Sequence, residues 1–280
     1  MAFARAAVAQ RDCCTLAGLG EDLPSNTMEQ ATFEGWIDVT VPLRTGLVSW
    51  PGDPAFRIER VSDLALGDSA TVSRIDMGAH TGTHMDAHGH ISVNNQVYGV
   101  GDIEPWQDYQ GLQKAGIQEA APVFTRGVLF DVAGLEGVEC LAPDYRVTAE
   151  VLKACAERQG ATPGSGEAAL IRTGWIQHFQ NARKYISHHE GCPGLVEDGA
   201  EWLVERGVGY VGADTVALEK TPSANLPVHV ILLATNGIHI IEAMNLEELV
   251  EAGICEFLFI VSPLKIRGGT ASPVRPLAIV

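Results

Sequence analysis

"GAHTGTHMDAHGHIS", residues 78–92, holds four of the chain's nine histidines and an aspartate within eleven positions. His80, His84, Asp86, His88 and His90 share one parity, so on a flat strand all five would face the same way. A flat strand rises about 3.3 Å per residue, which would hold His80 and His84 roughly 13 Å apart. Two ligands of one cation each lie about 2 Å from it. The chain must therefore bend between them if both bind, and Gly82, flanked by Thr81 and Thr83, is where a bend costs least. A single helical turn would also bring i and i+4 together. Either way two imidazoles and a carboxylate can converge, a donor set that suits zinc, and also manganese or iron. Three protein ligands leave coordination positions open, as in catalytic rather than structural sites, and no cysteine is close in sequence.

Working outward, "ATVSRIDM" (70–77) alternates apolar and polar residues and reads as a strand running into this strip. Upstream, "WIDVTVPL" (36–43) is β-rich and "SWPGDPAF" (49–56) is a turn by composition. Downstream, buried strands are predicted at 126–132, 167–175, 208–215, 238–244 and 255–263. Helices are predicted at 148–160, capped by Thr148 and closed by Gly160, and at 195–207, 226–237 and 245–253. No repeat or linker interrupts residues 34–280, which read as one domain after an N-terminal extension, residues 1–33. Strands early and helices mostly later fit an α/β fold, a mixed sheet flanked by helices.

The 19 basic and 35 acidic residues give a net charge of −16, which argues against nucleic acid and anionic membranes as partners. No apolar run approaches the roughly 18 residues that span a bilayer. The six cysteines are scattered without a CxxC pair, so reduced thiols and a cytoplasmic location are expected.

The strip H-x-G-T-H-x-D, with a histidine four residues on, resembles the cyclase family of metal-dependent hydrolases, which takes in arylformamidase (kynurenine formamidase), isatin hydrolase and a trans-dienelactone hydrolase. "WPGDPAF", "LIRTGW" (170–175), "GAEWLVERGVGYVGADT" (199–215) and "LPVHVILLATNGIHIIEAMNLEEL" (226–249) follow the family's order. The resemblance implies a swivelling β/β/α fold with a barrel-like sheet. It implies His80, His84 and Asp86 as ligands of a divalent metal, zinc or manganese, and His229 and Glu242 as completing a site for one or two ions. His90 matches the catalytic histidine, and Trp50 the tryptophan that lines the substrate pocket. Where the family has proline after Asp-Ala, this chain has His88, so that turn is expected to be looser or to carry an extra proton-handling group.

The activity so implied is hydrolysis by metal-activated water, opening a cyclic amide of the isatin kind or cleaving an aryl amide, with a lactone as the alternative. His90 would pass the water's proton to the leaving group, and its ordinary pKa near 6.5 suits both halves of the task. A non-catalytic metal-binding protein is the reading from another class. A homo-oligomer and a small-molecule substrate are the expected partners. Asp214 is expected to tie loops together, Arg172 to form an ion pair or orient a carboxylate product, and His178, His188 and His189 to be exposed. His239 carries no assigned role.

Overall fold

The pentapeptide Ala168–Arg172 is buried at every position. A strand without polar alternation is what a parallel sheet covered on both faces requires. In the computed structural model, which describes residues 35–187 and 190–280, this strand lies at the centre of a nine-stranded sheet. The expected N-terminal extension, His188 and His189 lie outside the described residues.

Apart from two-residue bridges, the strands are β1 (Trp36–Asp38), β2 (Arg57–Ser62), β3 (Val72–Asp76), β4 (His84–Asp86), β5 (Val123–Asp131), β6 (Ala168–Arg172), β7 (Tyr210–Ala213), β8 (His239–Glu242), β9 (Glu256–Val261), β10 (Ala271–Pro273) and β11 (Leu277–Ile279). The large sheet runs β1-β11-β9-β5-β6-β7-β8-β4-β10. The central strands β5 to β8 are parallel, and those on either side pair antiparallel. The sheet curls into a half-barrel flanked by helices, the mixed α/β class expected. β2 and β3 form a separate two-stranded ribbon.

Successive residues of the central strands serve opposite faces, as the period of two demands. Val128, Phe130, Ile171, Val211 and Ile240 pack with Leu152, Leu203, Leu232 and Leu233 from the helices. Leu129, Leu170 and Ile241 join Met85, Phe257 and Phe259 in a second core on the other face. Each such side chain taken fully from water contributes roughly 1.5–3 kcal/mol.

The helix Ala149–Gln159 starts where Thr148 Oγ1 accepts the Val151 amide at 3.3 Å, and ends at Gly160 with φ 69°. Elsewhere the elements are shorter than their sequence patterns suggest. β1 stops at Asp38, because Thr40 donates to the Asp38 carboxylate, Val41 donates to Thr83, and Pro42 has no amide to offer. β3 does not run into the histidine strip: residues 77–83 separate it from β4, and Gly78 donates to the Pro54 carbonyl. β6 ends at Arg172, where the next two amides turn to Asp214. The helix expected from 195 begins at Glu197, since Gly194–Leu195 pairs with Arg146–Val147. The predicted helix 226–237 is an α-turn, Pro227–His229, continued as a π-helix, Val230–Thr235.

Candidate metal centre

The bend expected at Gly82 is present. Its φ is +63°, and a Cβ there would sit 2.7 Å from Leu43 Cδ2, so glycine serves both conformation and close approach. Thr83 fixes the bend from one side: its hydroxyl accepts the Val41 amide at 2.9 Å and donates to the Ala243 carbonyl at 2.7 Å. His84 then enters β4 directly opposite Glu242 of β8. The fold of the strip brings His80 Nδ1 to 2.8 Å and His84 Nε2 to 3.5 Å from Asp86 Oδ1. Candidate ligand atoms of His80, His84 and Asp86 all lie within 4.8 Å of one another, and so do those of Asp86, His90 and His229. Glu242 links the two sets, 3.3 Å from His84 Nε2 and 3.2 Å from His229 Nε2.

Three histidines have their ring orientation set by acceptors behind them. His84 Nδ1–H donates to the Gly82 carbonyl at 2.8 Å, which leaves Nε2 facing the cluster. His229 Nδ1–H donates to Glu219 at 2.6 Å, and Glu219 also accepts the His229 amide at 3.1 Å and the Ser223 hydroxyl. His239 Nδ1–H donates to the Asp86 carbonyl at 2.8 Å. A carboxylate or carbonyl behind an imidazole is the usual support of a metal-binding histidine. Glu219, 1% exposed, is a site residue that sequence reasoning misses; its one signal is a carboxylate in the otherwise ordinary segment "TVALEK".

The cluster is buried and charged. Burial alone would lower His84 and His229, but carboxylates outweigh it. Glu242 and Asp86 push His84 up to about 9, and Glu219 and Glu242 push His229 up to about 10. Burial would raise Asp86 and Glu242, yet the surrounding histidines hold both below the ordinary carboxylate range. His90 is lowered by burial, against the pull of Asp86. Burial and then the neighbouring His239 bring His88 down to about 4. Among the described residues, His84 Nε2, both Asp86 carboxylate oxygens and Glu242 Oε1 are buried without a well-aligned hydrogen bond, despite the close approaches of His80 and His229. Orphaned acceptors and an imidazole nitrogen converging at one place fit a bound divalent cation.

Beside the cluster lies a cavity of about 260 Å³ lined by Trp50, Asp53, His80, His84, His90, Phe179, Tyr185, Leu226, His229 and Glu242, among others. Trp50 is 39% exposed and stands in this wall rather than in the core. Several non-glycine residues around it adopt positive φ: Leu218 (53°), Asn225 (66°), Leu226 (48°) and Ala243 (52°). Backbone strain of this kind collects where side chains must be aimed.

Asp214 does tie loops together: its carboxylate accepts the Thr173 amide and hydroxyl and the Gly174 amide, while burial pushes it up to about 6. Arg172 is a structural ion pair, bidentate on Glu247 and 3.2 Å from Asp131, and so is not free to hold a product. His178 is half-buried rather than exposed, because its ring packs edge-on to Trp175 with centroids 4.9 Å apart. The described cysteines, Cys140, Cys155, Cys192 and Cys255, are free thiols.

The family model described as "Putative cyclase" matches residues 37–220, and the chain belongs to that family. An isatin hydrolase from Roseibium aggregatum is 26% identical over 278 residues, covering 95% of this chain and 97% of its own. A kynurenine formamidase from Bacillus cereus is 27% identical over 251 residues, covering 86% and 95%. Among solved structures, one described as a novel cyclase superposes with a TM-score of 0.80 at 25% identity, covering 89% of this chain and 88% of that one. Isatin hydrolase A from Ralstonia solanacearum gives 0.69 at 26%, covering 88% and 92%.

Proposed function

We propose that the chain is a metal-dependent hydrolase of a ring amide or an aryl amide. The observation that carries this reading is the convergence of buried ligand atoms from His84, Asp86 and Glu242, without well-aligned hydrogen bonds among the described residues, beside a cavity walled by Trp50, Phe179 and Tyr185. His80, His84 and Asp86 would hold the ion, zinc or manganese. When bound, such an ion supplies Lewis acidity and lowers the pKa of water toward about 7. The aromatic side chains offer flat faces to a planar substrate and exclude bulk water. His90, lowered by burial, is neutral at pH 7 and so able to take a proton and return it to a departing amine. Both named relatives are amide hydrolases, which favours an amide over a lactone.

A second reading has its own observation: Asp86, His90 and His229 form another ligand-capable set. Two ions sharing Asp86 would make His90 a ligand and remove it as a base. The ratio of bound metal to chain separates the two. The test of the activity is metal analysis of purified protein with turnover of a panel of isatin-type ring amides, formanilides and lactones. A His90→Ala protein that keeps its metal and turns over amide at the wild-type rate would remove His90 from the mechanism. Metal retained with no turnover of any panel member by wild type would favour the non-catalytic metal-binding reading.

A homo-oligomer is part of the proposal. In the β2–β3 ribbon, Ile58, Val61, Val72 and Ile75 are all exposed, and Ile58 faces Ile75 across the pair. An isolated two-stranded ribbon is marginal in water, so a second copy covering it is the simplest account.

A further inference from the structure

His90 sits on a single 3-10 turn, His88–His90, immediately after Ala87 and the ligand Asp86. Backbone bonds hold the turn before, within and at the end of it: Ala87 donates to Thr270 at 2.9 Å, Gly89 to Ala115 at 2.8 Å, and His90 to Ala87 at 3.0 Å. Among the described residues no side chain caps it. Its first residue is gripped differently. The His88 ring stacks on His239 with centroids 3.9 Å apart and planes 19° from parallel. Tyr98 meets His88 edge-on at 5.8 Å, and Tyr210 stacks on His239 at 6.1 Å. Tyr98 is itself wedged: a Cβ on Gly237 would lie 2.2 Å from its ring. His239, at the start of β8, also donates to the Asp86 carbonyl. Two adjacent points of the strip, the Asp86 backbone and the His88 ring, are therefore fastened to one residue of the sheet.

We infer that His88 and His239 are a positioning pair, whose stacked rings hold the turn that presents His90 to the ligand cluster. The inference rests on the amide-hydrolase reading only for its kinetic arm. It assigns His88 no proton transfer. A ring-restricted backbone should then replace the stack. Proline fits the position: Ala87 has φ −78° and ψ 153°, the extended shape a residue before proline adopts. His88 is the first residue of its turn, so its amide has no intrahelical acceptor to lose.

The experiment compares His88→Ala, His88→Pro and His88→Phe with wild type, reading amide hydrogen exchange over residues 86–91 in the metal-free protein, metal stoichiometry, kcat and KM. His88→Ala is expected to speed exchange and lower kcat, each by about tenfold, with KM and metal stoichiometry unchanged, since a misaligned group loses rate before binding. His88→Pro is expected to restore slow exchange and kcat, and His88→Phe, a ring without nitrogen, to match wild type in both. Wild-type exchange in His88→Ala, or fast exchange persisting in His88→Pro, overturns the inference. So does a His88→Phe protein with native exchange and lost turnover, which would give the imidazole nitrogen a chemical role. If wild type itself hydrolyses no amide, the functional reading fails, while the exchange arm still decides on the pair.

Discussion

Glu219 offers the sharpest test of the centre, because its carboxylate serves the back of His229 and its own loop. That carboxylate receives three hydrogen bonds, from His229 Nδ1, the His229 amide and the Ser223 hydroxyl. Glu219→Gln keeps the shape and can still accept from the imidazole, while its amide can serve the Ser223 oxygen. What it removes is the charge. Hydrogen bonds to charged groups contribute roughly 1.5–3 kcal/mol against about 0.5–1.5 for neutral ones, so the loss is about 1–1.5 kcal/mol. If His229 is a ligand, that loss is felt as weaker ion binding of roughly 5–15-fold, since about 1.4 kcal/mol is tenfold. Glu219→Ala, which leaves two buried His229 donors and the half-buried Ser223 hydroxyl unpaired, should cost about 100-fold, the upper end for the loss of such a support. Competition titrations against a chromophoric chelator measure both. Ion affinity of Glu219→Gln within twofold of wild type, with the fold intact, would refute the reading in which His229 joins Asp86 and His90 as a ligand.

The metal-free protein has a pH dependence of fixed sign. His84 and His229 are raised to about 9 and about 10 from 6.5, so the stability from their carboxylate partners is fully present below pH 6.5 and lost as pH rises through 9 to 10. Melting temperature measured with chelator present should fall from pH 7 to pH 10; a rise would contradict the assignment. Ion binding at neutral pH should release protons, seen as a dependence of calorimetric heat on the buffer's ionisation enthalpy. Trp50→Ala should raise KM about tenfold with metal content unchanged, if its ring face carries about 1.4 kcal/mol of substrate contact. Arg172→Ala should destabilise by about 1–3 kcal/mol in denaturant, by unpairing the partly exposed Glu247 and Asp131 carboxylates, without altering ion affinity. Ile75→Asp should shift the light-scattering mass toward monomer; an unchanged mass would free the ribbon of a role in assembly.

The parity of the histidine strip and the glycine inside it make the bend at Gly82 legible in the sequence, and spacing alone places the helix between Thr148 and Gly160. Resemblance, not spacing, singles out His229 and Glu242: nothing local ties residue 229 to residue 84, and only the antiparallel pairing of β4 with β8 brings Glu242 to His84. Glu219 is invisible in the sequence because its meaning depends on a ring ten residues away, on the α-turn Pro227–His229. The ends of β1, β3 and β6 depart from their patterns for one reason: Thr83, Pro54 and Asp214 supply competing acceptors that a propensity pattern does not contain. The role of His239 is hidden because a stacked neutral imidazole leaves no signature in a sequence. The exposure expected of His178 fails because the polarity of its neighbours hides the Trp175 ring beneath it.

His84 and Glu242 face each other as ladder partners across β4 and β8, so the spacing of two donor atoms is set by the same rungs that knit the sheet. Deleting or inserting one residue in that short strand would put Met85 where His84 stands and turn the cluster outward at a stroke. The three rungs of β4 thus admit no change of count, and any tolerance for an added or lost residue must lie outside them.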